Sequence, residues 1–308
     1  MRIAITGASG LMGTALSESL TRDGHEVLHL VRRRPRTAGE AGWDPYGEKV
    51  DTDRLVGTDA VVHLAGRPLG PARWTRRRRA EIRDSRVIGT GTLATAISQM
   101  AEPPARLLSA SAVGRYGDAG DRTLTEDGPR GTGFLADLVA DWEAATRPAE
   151  RAGVSVAHLR SGVVLSRSGG LLATLLPLFR AGLGARLGDG RQYLSWISIA
   201  DDVAAIRFLL ERPDITGPVN VCAPEPVTNA DFTTALGRAV RRPALLTAPR
   251  YALRAALGEF AAEVLLPSQR AVPQRLLDAG YSFRHPELGG ALSDIIRGGS
   301  GAYGGTRE

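Results

Sequence analysis

The sequence predicts an α/β fold in which a doubly wound parallel sheet precedes a smaller, mostly helical region. The chain opens with a short apolar strand that runs through a glycine-rich loop into a helix. Strand-like and helix-like segments then alternate as far as residue 166, which requires parallel strands joined by right-handed crossovers. With 308 residues and 43% hydrophobic content, the chain is long enough to bury a large core.

Apolar runs and helical periodicity place the individual elements. The predicted strands are residues 2–6, 26–31, 59–66, 105–113 and 155–165, and the predicted helices are 11–20, 73–101 and 134–152. Residues 1–166 are therefore predicted to form a Rossmann-type domain that binds a dinucleotide. Residues 167–297 are predicted to form the substrate side, interleaved with this core and mostly helical after residue 249, and the glycine-rich residues 298–308 a flexible tail.

The stretch TGASGLMG lies between the first strand and the first helix. Gly7 permits the tight turn, Gly10 lets backbone amides approach a pyrophosphate, and Gly13 lets the helix pack closely. The free N–H groups of the first helical turn then face the anion. The residues predicted to bind the dinucleotide here are Gly7, Ser9, Gly10, Leu11, Met12 and Gly13.

Arginines follow the second strand, where NAD-binding sites place a carboxylate for the ribose 2′-hydroxyl. Val31 is followed by Arg32, Arg33 and Arg34, with no acid among them. Because guanidinium groups bind a 2′-phosphate bidentately, Arg32 and Arg33 predict NADP(H) as the cofactor. The alternative is that these arginines are simply exposed to solvent.

The third strand ends in the sequence HLAG, at the sheet edge where ligands bind in open α/β folds. We expect Leu64, Ala65 and Gly66 to contact the adenosine half of the cofactor, because small residues let it lie across them. His63 is expected to be a core residue.

Composition and charge argue against several other classes of protein. The single cysteine, Cys222, precludes an intrachain disulfide, so a cytoplasmic location is expected. No stretch has the length and apolarity of a membrane span, no aromatic platform recurs with the arginine run at residues 73–83, and no His/Cys/Asp cluster has metal-ligand spacing. We expect a small-molecule substrate and no nucleic-acid, membrane or metal partner. The sequence leaves the oligomeric state open.

Motifs along nearly the whole chain resemble one protein family. They include TGASGLMGTAL, HLAG, SASAVGRYG, DWE, LRSGVVLS, NVCAPEPVTNADF and GYSFRHPEL. The chain resembles the extended short-chain dehydrogenase/reductases, and among them the atypical epimerase-family NAD(P)-binding proteins with a helical C-terminal domain of unknown function. The resemblance implies cofactor contacts at Arg32, Leu64, Ala65, Glu81, Arg86 and Val164. From the residues alone, Arg86 either reaches a phosphate or forms a surface ion pair with Glu81.

The resemblance raises a question about proton transfer. In short-chain reductases a tyrosine moves the proton, a lysine four residues later lowers the pKa of that tyrosine, and a serine polarises the carbonyl. Here Phe134 and Leu138 stand at the first two positions. Lys49, the only lysine, falls in a predicted loop before the third strand. The resemblance implies Ser111 as the polarising hydroxyl, with Ser109 as the alternative.

Tyr116 is the candidate proton donor, because its loop is expected to lie over the nicotinamide. The alternatives are a packing role for Tyr116 and proton donation by Arg160 or a water. Three functions follow: an NADP(H)-dependent oxidoreductase of a carbonyl-type small molecule, a redox-linked epimerase or dehydratase, and an NADPH-binding sensor or scaffold without turnover. The missing tyrosine disfavours epimerisation, and we expect the oxidoreductase.

Overall fold

The structure, a computed structural model, describes residues 1–70 and 73–298. The predicted tail therefore lies outside the described residues from position 299 onward. The strands are β1 (Arg2–Thr6), β2 (Glu26–Val31), β3 (Glu40–Asp44), β4 (Lys49–Val50), β5 (Ala60–His63), β6 (Arg106–Ala112), β7 (Thr123–Leu124), β8 (Ser155–Ser161), β9 (Val163–Leu165), β10 (Ala185–Leu187), β11 (Tyr193–Leu194), β12 (Trp196–Ser198), β13 (Gly217–Val221), β14 (Val227–Thr228), β15 (Leu246–Ala248) and β16 (Arg270–Ala271).

The helices alternate with the longer strands through the first half of the chain and dominate its end. They are α1 (Leu11–Arg22), α2 (Arg76–Ser98), α3 (Phe134–Ala144), α4 (Arg147–Arg151), α5 (Gly170–Arg180), α6 (Ile199–Leu210), α7 (Asn229–Ala239), α8 (Arg250–Leu257), α9 (Gln274–Asp278) and α10 (Leu288–Arg297). Short 3₁₀ turns span Thr52–Leu55 and Val113–Tyr116, and a π-helical turn spans Ala261–Leu265.

One large sheet confirms the predicted doubly wound fold. Its strand order is β13-β8-β6-β5-β1-β2-β3-β4, and every neighbouring pair is parallel except β3 and β4. The direction of winding reverses at β1, which lies between β2 and β5. A crevice therefore opens at the carboxyl ends of β1 and β5, the place where open α/β sheets bind ligands.

Both faces of the sheet are covered by helices. Alternate residues of β1 point to opposite faces: Ile3 and Ile5 pack in a cluster with α1 and α6, whereas Ala4 packs in a cluster with α2. α6 runs beside α1, and Arg207 near its end contacts Ser19 and Asp23 near the end of α1. The two helices consequently begin at the same edge of the sheet as the crevice.

The structure corrects the sequence predictions at three places, of which the first is the predicted helix 134–152, which is divided into α3 and α4. β3 and β4 were missed, and Lys49 belongs to β4, paired with Asp44, rather than to a loop. The predicted strand 155–165 is two strands divided at Gly162. Val163 leaves the large sheet there because its N–H donates to the carbonyl of Ser195, and β9 then pairs with β12.

We predict that Gly13→Ala destabilises the protein. A Cβ at Gly13 would lie well inside van der Waals contact with the carbonyl oxygen of Gly7, a backbone atom that cannot yield cheaply. The expected loss is about 1–3 kcal/mol in the free energy of unfolding, measured by urea denaturation. Gly91→Ala in α2 is the matched control, because nothing lies within 4 Å of its added Cβ. Equal stability of the two variants would contradict the close packing of the loop.

Candidate functional site

The glycine-rich loop closes on itself and on the end of β5. Gly7 has a φ of +68°, and a Cβ there would lie 2.8 Å from the carbonyl carbon of Leu64. The amide of Gly10 donates to the carbonyl of Gly7 over 2.9 Å. Gly10 begins α1 without a side-chain cap, so the first N–H groups of the helix, at Leu11 and Met12, remain available to an anion. A shape that only glycine fits therefore leads into a helix N-terminus.

Thr6 fixes the neighbouring strand end against this loop. Its hydroxyl accepts hydrogen bonds from the amides of Leu64 at 3.1 Å and Ala65 at 3.2 Å, and it lies 2.7 Å from Nδ1 of His63. His63 is fully buried, and burial lowers its pKa to about 4, so the ring is neutral. His63 is a core residue, as expected, while Leu64, Ala65 and the exposed Gly66 form the rim of the crevice.

The two arginines predicted to bind the 2′-phosphate are held differently. Arg33 makes a bidentate pair with Glu40 of β3, at 2.9 and 2.5 Å, and its hydrogen bonds lower the pKa of Glu40 to about 2. Arg32 has no carboxylate within 4 Å among residues 1–70 and 73–298. Both line a groove of about 800 Å³ beside the end of β2. Arg32 is therefore the cation left available to a phosphate.

Glu81 and Arg86 do not pair with each other, so the structure does not support the alternative of a surface ion pair between them. Glu81 instead pairs with Arg77 at 2.9 Å and with Arg67 at 3.3 Å. Arg86 donates to the carbonyls of Arg67 and Ile82, at 3.0 and 3.1 Å. Its guanidinium also lies 5.1 Å from the centre of the Trp142 ring.

Arg86 keeps its charge without a carboxylate partner in the described part of the chain. Burial lowers its pKa to about 10, which still leaves it cationic at neutral pH. A Cβ at Gly66 would lie 3.5 Å from its guanidinium carbon, so the cation lies directly behind the rim of the crevice. An uncompensated cation in this position attracts an anionic ligand.

Val164 lies on the opposite wall of the same crevice. It belongs to β9, where it pairs with Ile197. A Cβ at Gly170 would lie 3.3 Å from the Val164 carbonyl oxygen and 3.8 Å from the Leu11 side chain. The structure thus brings Val164 and Leu11, far apart in sequence, to one end of the site.

Ser111 lies near the carboxyl end of β6, and its hydroxyl is engaged within the protein. Ser111 is 5% exposed, and its hydroxyl donates to Oε1 of Glu143 over 2.7 Å. Glu143 also receives two hydrogen bonds from Arg160, at 2.7 and 3.0 Å, while Nε of Arg115 lies 3.5 Å away. The alternative, Ser109, is buried and its hydroxyl has no partner in the described structure.

Tyr116 is enclosed by the same polar network. It is 2% exposed, its hydroxyl donates to Oδ1 of Asn220 at 2.7 Å, and it accepts from Arg160 at 3.0 Å. Burial raises the pKa of Tyr116 despite the nearby Arg160 charge. A phenol that is buried, bonded on both sides and harder to ionise is poorly placed to protonate a substrate. The position favours the packing role that the sequence left open.

Arg160 is itself saturated by its neighbours. Besides Glu143 and Tyr116, it donates to the carbonyl of Glu126 over 2.9 Å. Burial alone would raise the pKa of Glu143, but the hydrogen bonds and charge of Arg160 outweigh it and lower that pKa below its usual value. Both groups are therefore ionised. Sequence reasoning considered Arg160 only as an alternative proton donor and did not pair it with Glu143, although the motifs DWE and LRSG contain the two residues.

Aromatic side chains surround Phe134, which occupies the position of the tyrosine in a short-chain reductase. Phe134 packs edge to face on Trp74 with ring centres 5.6 Å apart, and Trp74 packs in the same way on Phe260. Glu263 accepts from the amide of Leu135 at 3.1 Å and so satisfies the start of α3. The C-terminal region therefore closes over this end of α3.

Other kinds of site find no support in the described residues. No group of three or more His, Cys, Asp and Glu side chains there could hold a metal ion. No helix there has the length and apolarity needed to cross a bilayer.

Comparison with known proteins agrees with the fold and the loop. The profile of the NAD-dependent epimerase/dehydratase family matches residues 3–222. The chain belongs to this family. Residues 248–295 match a second profile, a domain of unknown function called DUF1731.

Relatives extend over nearly the whole chain. It is 49% identical to the epimerase family protein Mb2239 of Mycobacterium bovis over 290 residues, covering 94% of this chain and 96% of that protein. It is 38% identical to human SDR39U1 over 300 residues, covering 96% and 100%.

Solved structures give the same picture. The crystal structure of human SDR39U1 (isoform 2) with NADPH has a TM-score of 0.88 at 34% identity, covering 97% of this chain and 100% of that one. The nucleoside-diphosphate sugar epimerase of Corynebacterium glutamicum has a TM-score of 0.79 at 38% identity, covering 96% of this chain and 58% of that one.

We predict that Glu143→Gln destabilises the protein by about 3–5 kcal/mol at pH 7, because it leaves the Arg160 charge buried without its partner. The folded-state pKa of Glu143 lies below the reference value of 4.5. The ion pair therefore contributes fully above that pH, and its contribution is lost as the pH falls through the folded-state pKa. Urea denaturation from pH 7 to about pH 3 should show the two proteins converging at low pH.

The matched control is Glu259→Gln, which removes the exposed pair between Glu259 and Arg79. Exposed ion pairs contribute little, so its stability should stay close to that of the wild type at every pH. A Glu143→Gln variant as stable as this control would show that the buried pair does not hold α3 to β8.

Proposed function

We propose that the chain binds NADP(H) at the carboxyl edge of its sheet and acts as an oxidoreductase on a carbonyl-type small molecule. The observation that carries the cofactor assignment is the glycine-only contact of Gly7 with Leu64, which leads into the uncapped N-terminus of α1. The crystal structure of the similar human SDR39U1 with NADPH supports it.

The residues present fit this cofactor along its whole length. The amides of Leu11 and Met12 would bind the pyrophosphate, and Arg32 would bind the 2′-phosphate. Arg86 adds a charge behind Gly66. Val164, which lies near Leu11, would contact the nicotinamide end of the bound cofactor.

The bound nicotinamide supplies or accepts a hydride, and the chain's own groups determine which acceptors suit it. The hydroxyl of Ser111 is committed to Glu143, and that of Tyr116 to Asn220 and Arg160. Neither is offered to a substrate oxygen. We therefore propose acceptors whose reduced form is a stabilised anion, such as enones and quinones, because these need little acid assistance from the protein.

A second function, an NADPH-binding sensor without turnover, is favoured by the same two buried hydroxyls. A redox-linked epimerase or dehydratase receives less support, since those reactions need a base at the position held by Phe134. Oxidation of bound NADPH by enones, quinones or ketones would distinguish the oxidoreductase from the sensor.

We predict that Arg32→Ala weakens NADPH binding about tenfold or more, since a hydrogen bond to a charged group contributes roughly 1.5–3 kcal/mol. Binding of NADH, which has no 2′-phosphate, should change little. Cofactor fluorescence titration measures both. Arg151→Ala is the matched control, because Arg151 is an exposed arginine at the end of α4, on the opposite edge of the sheet. Equal losses for NADPH and NADH would remove Arg32 from the 2′-phosphate site.

We predict that enones and quinones oxidise bound NADPH and that simple ketones do not, as followed by nicotinamide absorbance. The variants Tyr116→Phe and Ser111→Ala should keep this activity wherever they remain folded by circular dichroism. Rapid reduction of simple ketones that is lost in folded Tyr116→Phe would instead restore the tyrosine as proton donor. Tight NADPH binding with no oxidation by any acceptor would favour the sensor.

A further inference from the structure

An exposed apolar surface lies where the end of α5 meets the ribbon of β10 and β15. Leu183 and Leu245 are 56% and 85% exposed, and Leu178 and Leu246 are also among the exposed large apolar side chains. Their backbones are adjacent: the amide of Leu183 donates to the carbonyl of Leu178, and Leu246 pairs with Ala185, two residues after Leu183. We call Leu178, Leu183, Leu245 and Leu246 the leucine patch.

Helix α8 extends this surface. None of its residues is fully buried, and Tyr251 in its first turn is 77% exposed. Leu253 and Leu257 are half-buried toward the protein, whereas Arg250 and Arg254 are exposed. α8 is therefore an amphipathic helix with a basic outer side.

The surroundings of the leucine patch are strongly basic. The segment from residue 232 to 258 contains five arginines and no acid: Arg238, Arg241, Arg242, Arg250 and Arg254. Arg180 at the end of α5 adds a sixth cation. None of them has a carboxylate within 4 Å in the part of the chain that the structure describes. These arginines therefore form no ion pairs within that part of the chain, although Asp231 and Glu259 flank the segment.

A groove of about 410 Å³ joins the charge to the patch. Arg238, Arg241 and Arg242 line it, together with Thr234, Gly237, Pro243, Ala244 and Leu245. The most exposed leucine of the patch thus stands at the rim of a groove lined by guanidinium groups. The arginines would bind the phosphate group of an amphipathic ligand in this groove, and the apolar part of that ligand would lie along Leu245.

We propose that this face binds the surface of an anionic phospholipid bilayer. The arginines of the groove would bind lipid phosphates, and the leucine patch with Tyr251 would enter the acyl boundary. This departs from the expectation of no membrane partner, which rested on the lack of a spanning segment. A surface contact needs none.

Charge and apolarity together favour a bilayer over other occupants. A second copy packed on the same patch would bring two sets of arginines together, which is unfavourable. A nucleic acid would satisfy the arginines but would leave the leucines in water. An anionic bilayer satisfies both kinds of group at once.

Vesicle co-sedimentation of the full chain tests the proposal. We expect binding to vesicles of phosphatidylglycerol and phosphatidylcholine, little binding to phosphatidylcholine alone, and weaker binding at high salt. Leu245→Glu should abolish binding, and Arg241→Ala should weaken it about fivefold. Leu277→Glu is the matched control, because Leu277 is 42% exposed on α9, outside this face, and should bind like the wild type. Circular dichroism confirms that each variant is folded.

Three results would overturn the proposal. The first is equal binding to both vesicle types, or to neither. The second is saturable binding of glycerol phosphate in solution together with weaker binding to the anionic vesicles, which would make the groove a site for a free phosphate. The third is a dimer in sedimentation velocity that Leu245→Glu dissociates, which would assign the patch to a second copy.

Discussion

The interior of the site depends on the hydrogen bonds and the ion pair that the side chain of Arg160 makes. From β8 it reaches Glu143 on α3, the hydroxyl of Tyr116 after β6, and the carbonyl of Glu126. Tyr116 continues the network to Asn220 on β13. A buried arginine is stable only when each of its donors is satisfied, so these elements must occupy fixed positions relative to one another. The network fixes these elements relative to one another and engages the hydroxyls of Ser111 and Tyr116 within the protein.

The same arrangement explains how α3 tolerates Phe134 and Leu138 where related enzymes carry an acid/base pair. Leu138 is buried in a cluster with Ile82 and Phe260, and Phe134 packs beside them. The start of the helix packs against apolar side chains of α2 and the C-terminal region. Its ion pair to the sheet lies near its other end, between Glu143 and Arg160. The polar groups that hold α3 in place, Ser111, Glu143 and Arg160, are therefore largely buried.

The sequence predicted what depends on local pattern and missed what depends on pairing. Gly7 and Gly13 could be placed because their roles follow from a strand, a turn and a helix in immediate succession. Glu40 could not be matched with Arg33, because the short β3 that presents it has no distinctive pattern. The hydrogen bond of the buried Ser111 could not be predicted either. Both faces of a covered strand lie against mainly apolar residues, and the carboxylate that binds Ser111 belongs to α3, which comes later in the chain. The sequence therefore could not show that Ser111 and Tyr116 belong to one polar network.

The C-terminal region is more than a cover for the sheet. One side of the segment after β15 forms the crevice wall, through Phe260 on Trp74, Glu259 on Arg79 and Glu263 at the start of α3. Its other side, α8, faces outward and has no buried residue. A segment held mainly along one side is easier to displace than the covered sheet, because fewer apolar contacts oppose its movement. Because α8 leads directly into this segment, the order of α8 bears on the packing of Phe260 on Trp74, next to Phe134.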